Sequence, residues 1–398
     1  MSRNRYTLFA CYFGYITQAI INSLLPLLFV TLQHQFRLSV SQIGFMVSYN
    51  FIMQILVDLF AAKYGERIGY RRCMIAAHIA GAVGLAGLAV FPFILPDPYM
   101  GLLVCITIYA IGGGLIEALV GPIVQALPLI RKESAISILH SFYCWGHAGV
   151  VILTTLFFQF FGTENWHLVC ILWAMIPAGN LILCSICPMY QLGDEGETLP
   201  IRQVFRMRLF WLFVLLMLCA GAAEHAMVQW SSFFAEEGLH ITKAVGDLLG
   251  PCMFAILMGI SRAVYGAFGD RFPLPRVLVI TGFACMGSYL LAVFSPIPML
   301  SLVGCGICGL TVGLMWPGSF NLCAKHCPKG GTAMFALLAV AGDLGCSAGP
   351  SVVSSVADVF GGQIKPGLLT ASIFPLLLAL GVIILRTVHS DKKEHLQS

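Results

Sequence analysis

The sequence predicts an all-α integral membrane protein, with twelve transmembrane helices in two pseudo-symmetric halves of six. Three observations carry this reading. Of 398 residues, 59% are apolar and 10% charged, with a mean hydropathy of +0.89, against about 25% charged residues in a soluble domain. Apolar runs of roughly 20 residues, the length that crosses ~30 Å of hydrocarbon, recur along the whole chain. Short motifs in the first half also return in the second at a nearly constant offset.

The expected spans are 7–32, 43–64, 73–95, 99–127, 136–162 and 167–190, then 209–235, 248–269, 276–295, 298–324, 332–358 and 366–388. The charged start, Met-Ser-Arg-Asn-Arg, resembles that of a signal peptide. Its apolar run is longer than a signal core of ~7–15 residues and has no small-residue cleavage site, so it is expected to persist as the first span. The longest polar interruption is Met189 to Arg208, at the midpoint of the chain. The expected organisation is therefore a half over 1–190, a cytoplasmic linker over 191–208, and a half over 209–398 ending in a short cytoplasmic tail.

Of 22 Lys and Arg residues, all but Arg37, Lys243, Lys365 and the intraspan Arg262 fall on the side that carries the termini. The positive-inside rule then places both ends in the cytoplasm of a multi-pass plasma-membrane protein. The net charge of +4 is explained by this orientation, and nucleic-acid binding has no support. Fifteen cysteines are scattered through the spans. The two pairs with C-x-x-C spacing, Cys184 with Cys187 and Cys305 with Cys308, have no sequence neighbour suited to metal or redox chemistry and read as small packing residues. No cofactor or metal is implied, and a monomer is expected.

The halves echo one another in two places. YGERIGYRR, with Glu66 and Arg67, follows the second span, and GAFGDRFPLPR, with Asp270 and Arg271, follows the eighth at an offset of 204 residues. GGGLIEALVGP in the fourth span faces VGLMWPGSF in the tenth, which gives Glu117 and Trp316 similar places. Repeats of this kind point to a transporter with its site at the midplane between them.

Ionisable groups inside spans mark candidate sites, because lipid makes them costly unless they face a cavity or a partner. Glu117 is the first, and an exchangeable proton on such a carboxyl is what coupling to a proton gradient requires. Glu224 and Asp343 are the candidates in the second half, with Arg262 as a structural partner for Glu224. Aromatic faces suit apolar sugar faces and amides suit hydroxyls. Tyr143, Trp145, Trp230 and Trp316 are the aromatic candidates, and Gln18, Asn22, Gln229 and Asn321 the polar ones. His140 and His147 share a helix face seven residues apart, a spacing unsuited to a two-His metal site. The glycine pairs Gly309–Gly313 and Gly345–Gly349 suit close helix packing in lipid.

The acid-Arg stretches resemble the signature loops of the major facilitator superfamily, glycine-x-x-x-Asp-Arg followed by a glycine and basic residues. The second copy keeps Gly266, Asp270 and Arg271, with Pro273 at the last glycine. The first has Ala62 and Glu66 in place of glycine and aspartate, and keeps Gly69, Arg71 and Arg72. The resemblance implies a gating role for Glu66, Arg67, Arg71, Asp270 and Arg271, to which Asp58 is added from its position at the inner end of the second span.

Within that superfamily the chain looks most like the fucose/proton symporter group. GLIEALVGPIV resembles its fourth-helix segment, HSFYCWG its fifth-helix Gln-x-Phe-Asn-x-x-Gly, and INSLLP its first-helix Asn-Asp-x-Leu-Leu-Pro. The resemblance implies that Glu117 is the proton- and sugar-linked glutamate, that His140 and Tyr143 occupy polar positions of the fifth helix, and that the first-helix aspartate falls on Asn22, which cannot ionise. The expected function is secondary transport of a small polar solute of the sugar kind, coupled to protons. The alternatives are export of drug-like compounds and a non-transporting membrane receptor. An enzyme would need clustered nucleophile, base or metal ligands, and a nucleotide-driven pump a phosphate-binding loop. The sequence offers neither.

Overall fold

The computed structural model describes residues 3–128, 132–189, 201–268, 272–327 and 331–394. The first six helices are α1 (Arg3–Ser23), α2 (Val40–Ile68), α3 (Tyr70–Gly87), α4 (Pro98–Ala126), α5 (Lys132–Phe161) and α6 (Trp166–Ile186). After the short helix Ile201–Val204 come α7 (Arg208–Val228), α8 (Met253–Phe268), α9 (Leu274–Phe294), α10 (Pro298–Val312), α11 (Gly331–Val359) and α12 (Ile373–Glu394). Several carry extensions. Phe29–Phe36 prolongs α1, Ser231–Phe233 and the π turn Phe234–Gly238 prolong α7, and Met315–His326 prolongs α10; Lys243–Asp247 leads into α8 and Ile364–Ala371 into α12.

Local chemistry sets the helix ends. Ser39 opens α2 with a reciprocal capping box: its hydroxyl accepts from the Gln42 N–H at 3.1 Å, and the Gln42 side chain accepts from the Ser39 N–H at 2.9 Å. Gly69, at φ 95°, turns the chain from α2 into α3 in a conformation that favours glycine. Asp97 caps α4 by accepting from the Tyr99 N–H at 2.9 Å, with Pro98 at the first helical position.

Among the described residues, eleven helices are long and apolar enough to cross a membrane. The expected third span, 73–95, is not one of them. Helix α3 is 18 residues long, carries Arg71, Arg72 and His78, and is replaced after Gly87 by turns and the short helix Phe91–Ile94. It nevertheless packs between α4 and α6, and glycine lets it do so. A Cβ on Gly84 would meet the Tyr109 N at 2.5 Å, and one on Gly112 would meet the Ala77 O at 2.6 Å. Arg71, Arg72 and His78 are what lower its hydropathy. Of the expected linker, residues 191–200 lie outside the described residues.

The two sets of six meet through α2 against α11 and α5 against α8. The face where α1 begins and α2 ends is here the termini face, and the opposite one the far face. On the far face the apolar core runs through both sets, joining Leu28, Phe29 and Ile43 to Trp230, Phe234 and Val353. Toward the termini face the first set has a core of its own, with Ala10, Cys11, Met74, Ile116, Val120 and Cys184.

Candidate substrate and coupling site

The site grows from polar residues spaced four apart along otherwise apolar helices, an arrangement that puts them on one face. Gln18 and Asn22 form such a pair on α1, and Asn50, Gln54 and Asp58 a row on α2. Gln18 donates from Nε2 to Glu117 Oε2 and to Gln54 Oε1, both at 2.8 Å. Asn22 Oδ1 accepts from Gln54 Nε2 at 3.0 Å and from Asn50 Nδ2 at 3.1 Å.

Pro26 explains the next link. Proline has no N–H, so the carbonyl four residues earlier, that of Asn22, loses its intrahelical donor. Gln229 at the end of α7 supplies one, donating from Nε2 at 3.0 Å. The Gln229 amide also lies 3.4 Å from His225 Nδ1, and His225 Nε2 lies 4.0 Å from Glu224 Oε1. Glu224 Oε2 is 3.8 Å from an Arg262 guanidinium nitrogen on α8. Arg262 donates further to the Gly313 carbonyl at 3.1 Å and to Cys144 Sγ on α5 at 3.4 Å. A polar row thus runs from Glu117 in the first set to Glu224 and Arg262 in the second.

Asp58 and Asp343 join Glu117 from other directions. The three carboxyls lie within electrostatic range of one another. Glu117 and Asp58 are half-buried, and Asp343 is buried. Trp316 packs over Gly342, next to Asp343, leaving no room there for a side chain.

Tyr143 also reaches the row: it is half-buried, pairs with the Asn22 side chain and stands edge-on to His147, with ring centroids 6.5 Å apart. The remaining candidates are more dispersed. His140 is exposed, 5.5 Å from the Tyr15 ring. Trp230 is fully buried, donating to the Pro350 carbonyl at 3.2 Å and packed against a tilted Phe29 ring and an edge-on Phe233 ring, so it offers no free face to a solute. Trp145 is half exposed and borders Gly259 of α8, and Asn321 is exposed. An apolar recess of about 210 Å³ between α5 and α6, lined by Leu153, Phe157 and Trp173, lies away from all these polar groups.

At the termini face, Arg71 donates to the Cys187 carbonyl at 2.8 Å and so ties the start of α3 to the end of α6. Arg67 is exposed. The Glu66 side chain, and Asp270 and Arg271 entirely, lie outside the described residues. The far face is closed instead. Ser48 of α2 bonds to the Ser351 hydroxyl and, at 3.3 Å, to the Ser347 carbonyl of α11. Lys243 spans from the Leu27 carbonyl, at 2.6 Å, to Glu236 at 3.1 Å and Asp247 at 3.3 Å. Thr155 of α5 donates to Asp247 at 3.1 Å.

This far-closed bundle, with a polar row between two helical sets, can be set beside known proteins. The family model described as Major Facilitator Superfamily matches residues 9–350. The chain belongs to the major facilitator superfamily. Its function class follows: it is a multi-pass secondary transporter of a small molecule, and not an enzyme. Solved structures of superfamily members share the fold. A D-xylose-proton symporter is similar with a TM-score of 0.78 at 12% identity, over 96% of this chain and 97% of that one. The E. coli fucose:proton symporter gives 0.66 at 18%, over 96% and 99%. A bacterial homolog of the human lysosomal transporter Spinster, in an inward-facing and occupied conformation, gives 0.75 at 13%, over 96% and 97%. No curated protein matches the chain.

Proposed function

We propose that this superfamily member couples the movement of a small polar, hydroxyl-bearing solute of the sugar kind to protons. The observation that carries the reading is the row from Glu117 through Gln18, Gln54 and Asn22 to Gln229. It puts the Glu117 carboxyl in direct contact with amides, a group type suited to hydroxyls, along a line that reaches both six-helix halves, and this supports Glu117 as the proton-exchanging group. Loading the solute or the proton changes hydrogen bonds on both sides of the cleft, which is the differential interaction a conformational shift requires. The halves then rock about this level, alternately exposing it. Basic residues concentrated on the termini side support cytoplasmic ends in a plasma membrane, and the far-closed form is then inward-facing. The names of the neighbouring sugar/proton symporters agree with this solute class.

The test is uptake of a labelled sugar panel into proteoliposomes at two pH values, with the native protein and Glu117→Gln. Accumulation driven by a proton gradient is expected to disappear in Glu117→Gln while counterflow exchange partly survives. Unchanged accumulation rejects Glu117 as the coupling group. Expulsion of a hydrophobic cation with no sugar movement rejects the solute class.

A further inference from the structure

The hydrogen-bond inventory of the site is one-sided. Four of the five buried side-chain polar atoms left without a partner among the described residues belong to α1 and α2 close to the polar row: Gln18 Oε1, Ser23 Oγ, Asn50 Oδ1 and Asp58 Oδ1. Two of these, the amide oxygens of Gln18 and Asn50, can only accept, and the Asp58 oxygen accepts when ionised. The amide orientations are not interchangeable. Gln18 Nε2 faces two oxygens, and Asn50 Nδ2 faces Asn22 Oδ1, so turning either amide over would set oxygen against oxygen. Gln18 is 2% exposed and Asn50 5%, so an unpartnered oxygen on either is costly.

Charge is equally one-sided. Glu117, Asp58 and Asp343 come from α4, α2 and α11, and among the described residues no cation pairs with any of them. The intramembrane Arg262 gives its three nitrogens to the Gly313 carbonyl, Cys144 and Glu224. Lys243 is committed on the far face. A neutral polyol supplies donors but no charge, and a quaternary ammonium supplies charge but no donors.

We propose that the solute carries a protonated primary or secondary amine, whose N–H groups fill the free acceptors of Gln18, Asn50 and Asp58 and whose charge faces Glu117 and Asp343. An aminated sugar or a short aliphatic amine has this chemistry. The inference rests on the transporter reading for its meaning but not for its test.

The test uses matched pairs on the purified native protein: 2-amino-2-deoxy-glucose against its N-acetyl form, 1,4-diaminobutane against its diacetyl form, and tetramethylammonium as a cation without N–H. Ligand binding is read as a rise in the unfolding midpoint. At least one free amine is expected to act at a tenfold or lower concentration than its acetylated partner and than tetramethylammonium, with Asp58→Asn and Asp343→Asn each reducing that preference. Equal action by acetylated forms, equal action by tetramethylammonium, or no action by either amine overturns the proposal. Flux in proteoliposomes separates the two readings. N–H-dependent binding without sugar flux rejects the proposed sugar coupling and leaves the amine, whereas flux of neutral sugars without amine preference does the reverse.

Discussion

Lys243, ahead of α8, donates to the Leu27 carbonyl beyond α1 at 2.6 Å, and so one ammonium fastens the second set of helices to the first on the far face. Its other partners are Glu236 and the fully buried Asp247, which the Ser232 hydroxyl also touches. Lys243→Met leaves those carboxylates without their cation, a change that costs about 3–5 kcal/mol in buried pairs. Glu236 and Asp247 lie in the second set with Lys243, so that cost falls on every state, and the far-closed state alone also loses the charged bond to Leu27, worth about 1.5–3 kcal/mol. Labelling of a cysteine introduced at Ser351 is expected to rise at least tenfold, and unchanged labelling would show that the ammonium does not hold this face shut.

Arg262 and Glu224 make a second prediction. Arg262→Met strands Glu224, which is 7% exposed and, among the described residues, then keeps His225 as its sole ion-pair partner. The unfolding midpoint in detergent should fall, and Glu224→Gln added to Arg262→Met should recover most of the loss, because the stranded charge is then gone. Two losses that simply add would show that the pair is not coupled.

Helix packing supplies a third. A Cβ on Gly345 would overlap the Leu218 carbonyl, and one on Gly349 the Ala222 carbonyl, where α11 crosses α7. Gly345→Ala should destabilise by about 1–3 kcal/mol as the helices separate, while Gly287→Ala, where nothing lies within 4 Å, should be near neutral. Thermal unfolding of the two variants checks the contrast.

Asn22→Leu removes the acceptor shared by Asn50 and Gln54. Leaving buried donors unmet costs about 1–3 kcal/mol, and the row between Glu117 and Gln229 is cut. Solute flux is expected to fall at least tenfold with the protein still folded by size-exclusion chromatography. Native flux would remove Asn22 from the site.

Eleven of the twelve expected spans, and Glu117, Glu224 and Arg262 as intramembrane ions, are legible because charge and hydropathy are local properties of the chain. Asn50 and Gln54 were missed. Single amides in an apolar helix carry no strong signal, and only their spacing of four from one another and from Asp58 could have raised them. Gln18 with Asn22, and His225 with Gln229, repeat that spacing. The aromatic face of Trp230 suggests a solute contact, but whether a face is free depends on neighbours beyond α1, in α7 and in α11 that no single segment encodes. The sequence position of Asp58 suggests the gate, yet it lies in range of Glu117 and Asp343 because α2, α4 and α11 converge.

Pro26 makes the Asn22 carbonyl dependent on a donor from another helix, and that donor sits on the opposite set. The bond therefore behaves as a plug in a socket. When the sets part on the far face, the socket cannot be refilled by the proline-interrupted helix itself, and in hydrocarbon it cannot stay empty. Water or solute must enter as the plug withdraws, so opening and wetting of the far vestibule are one event.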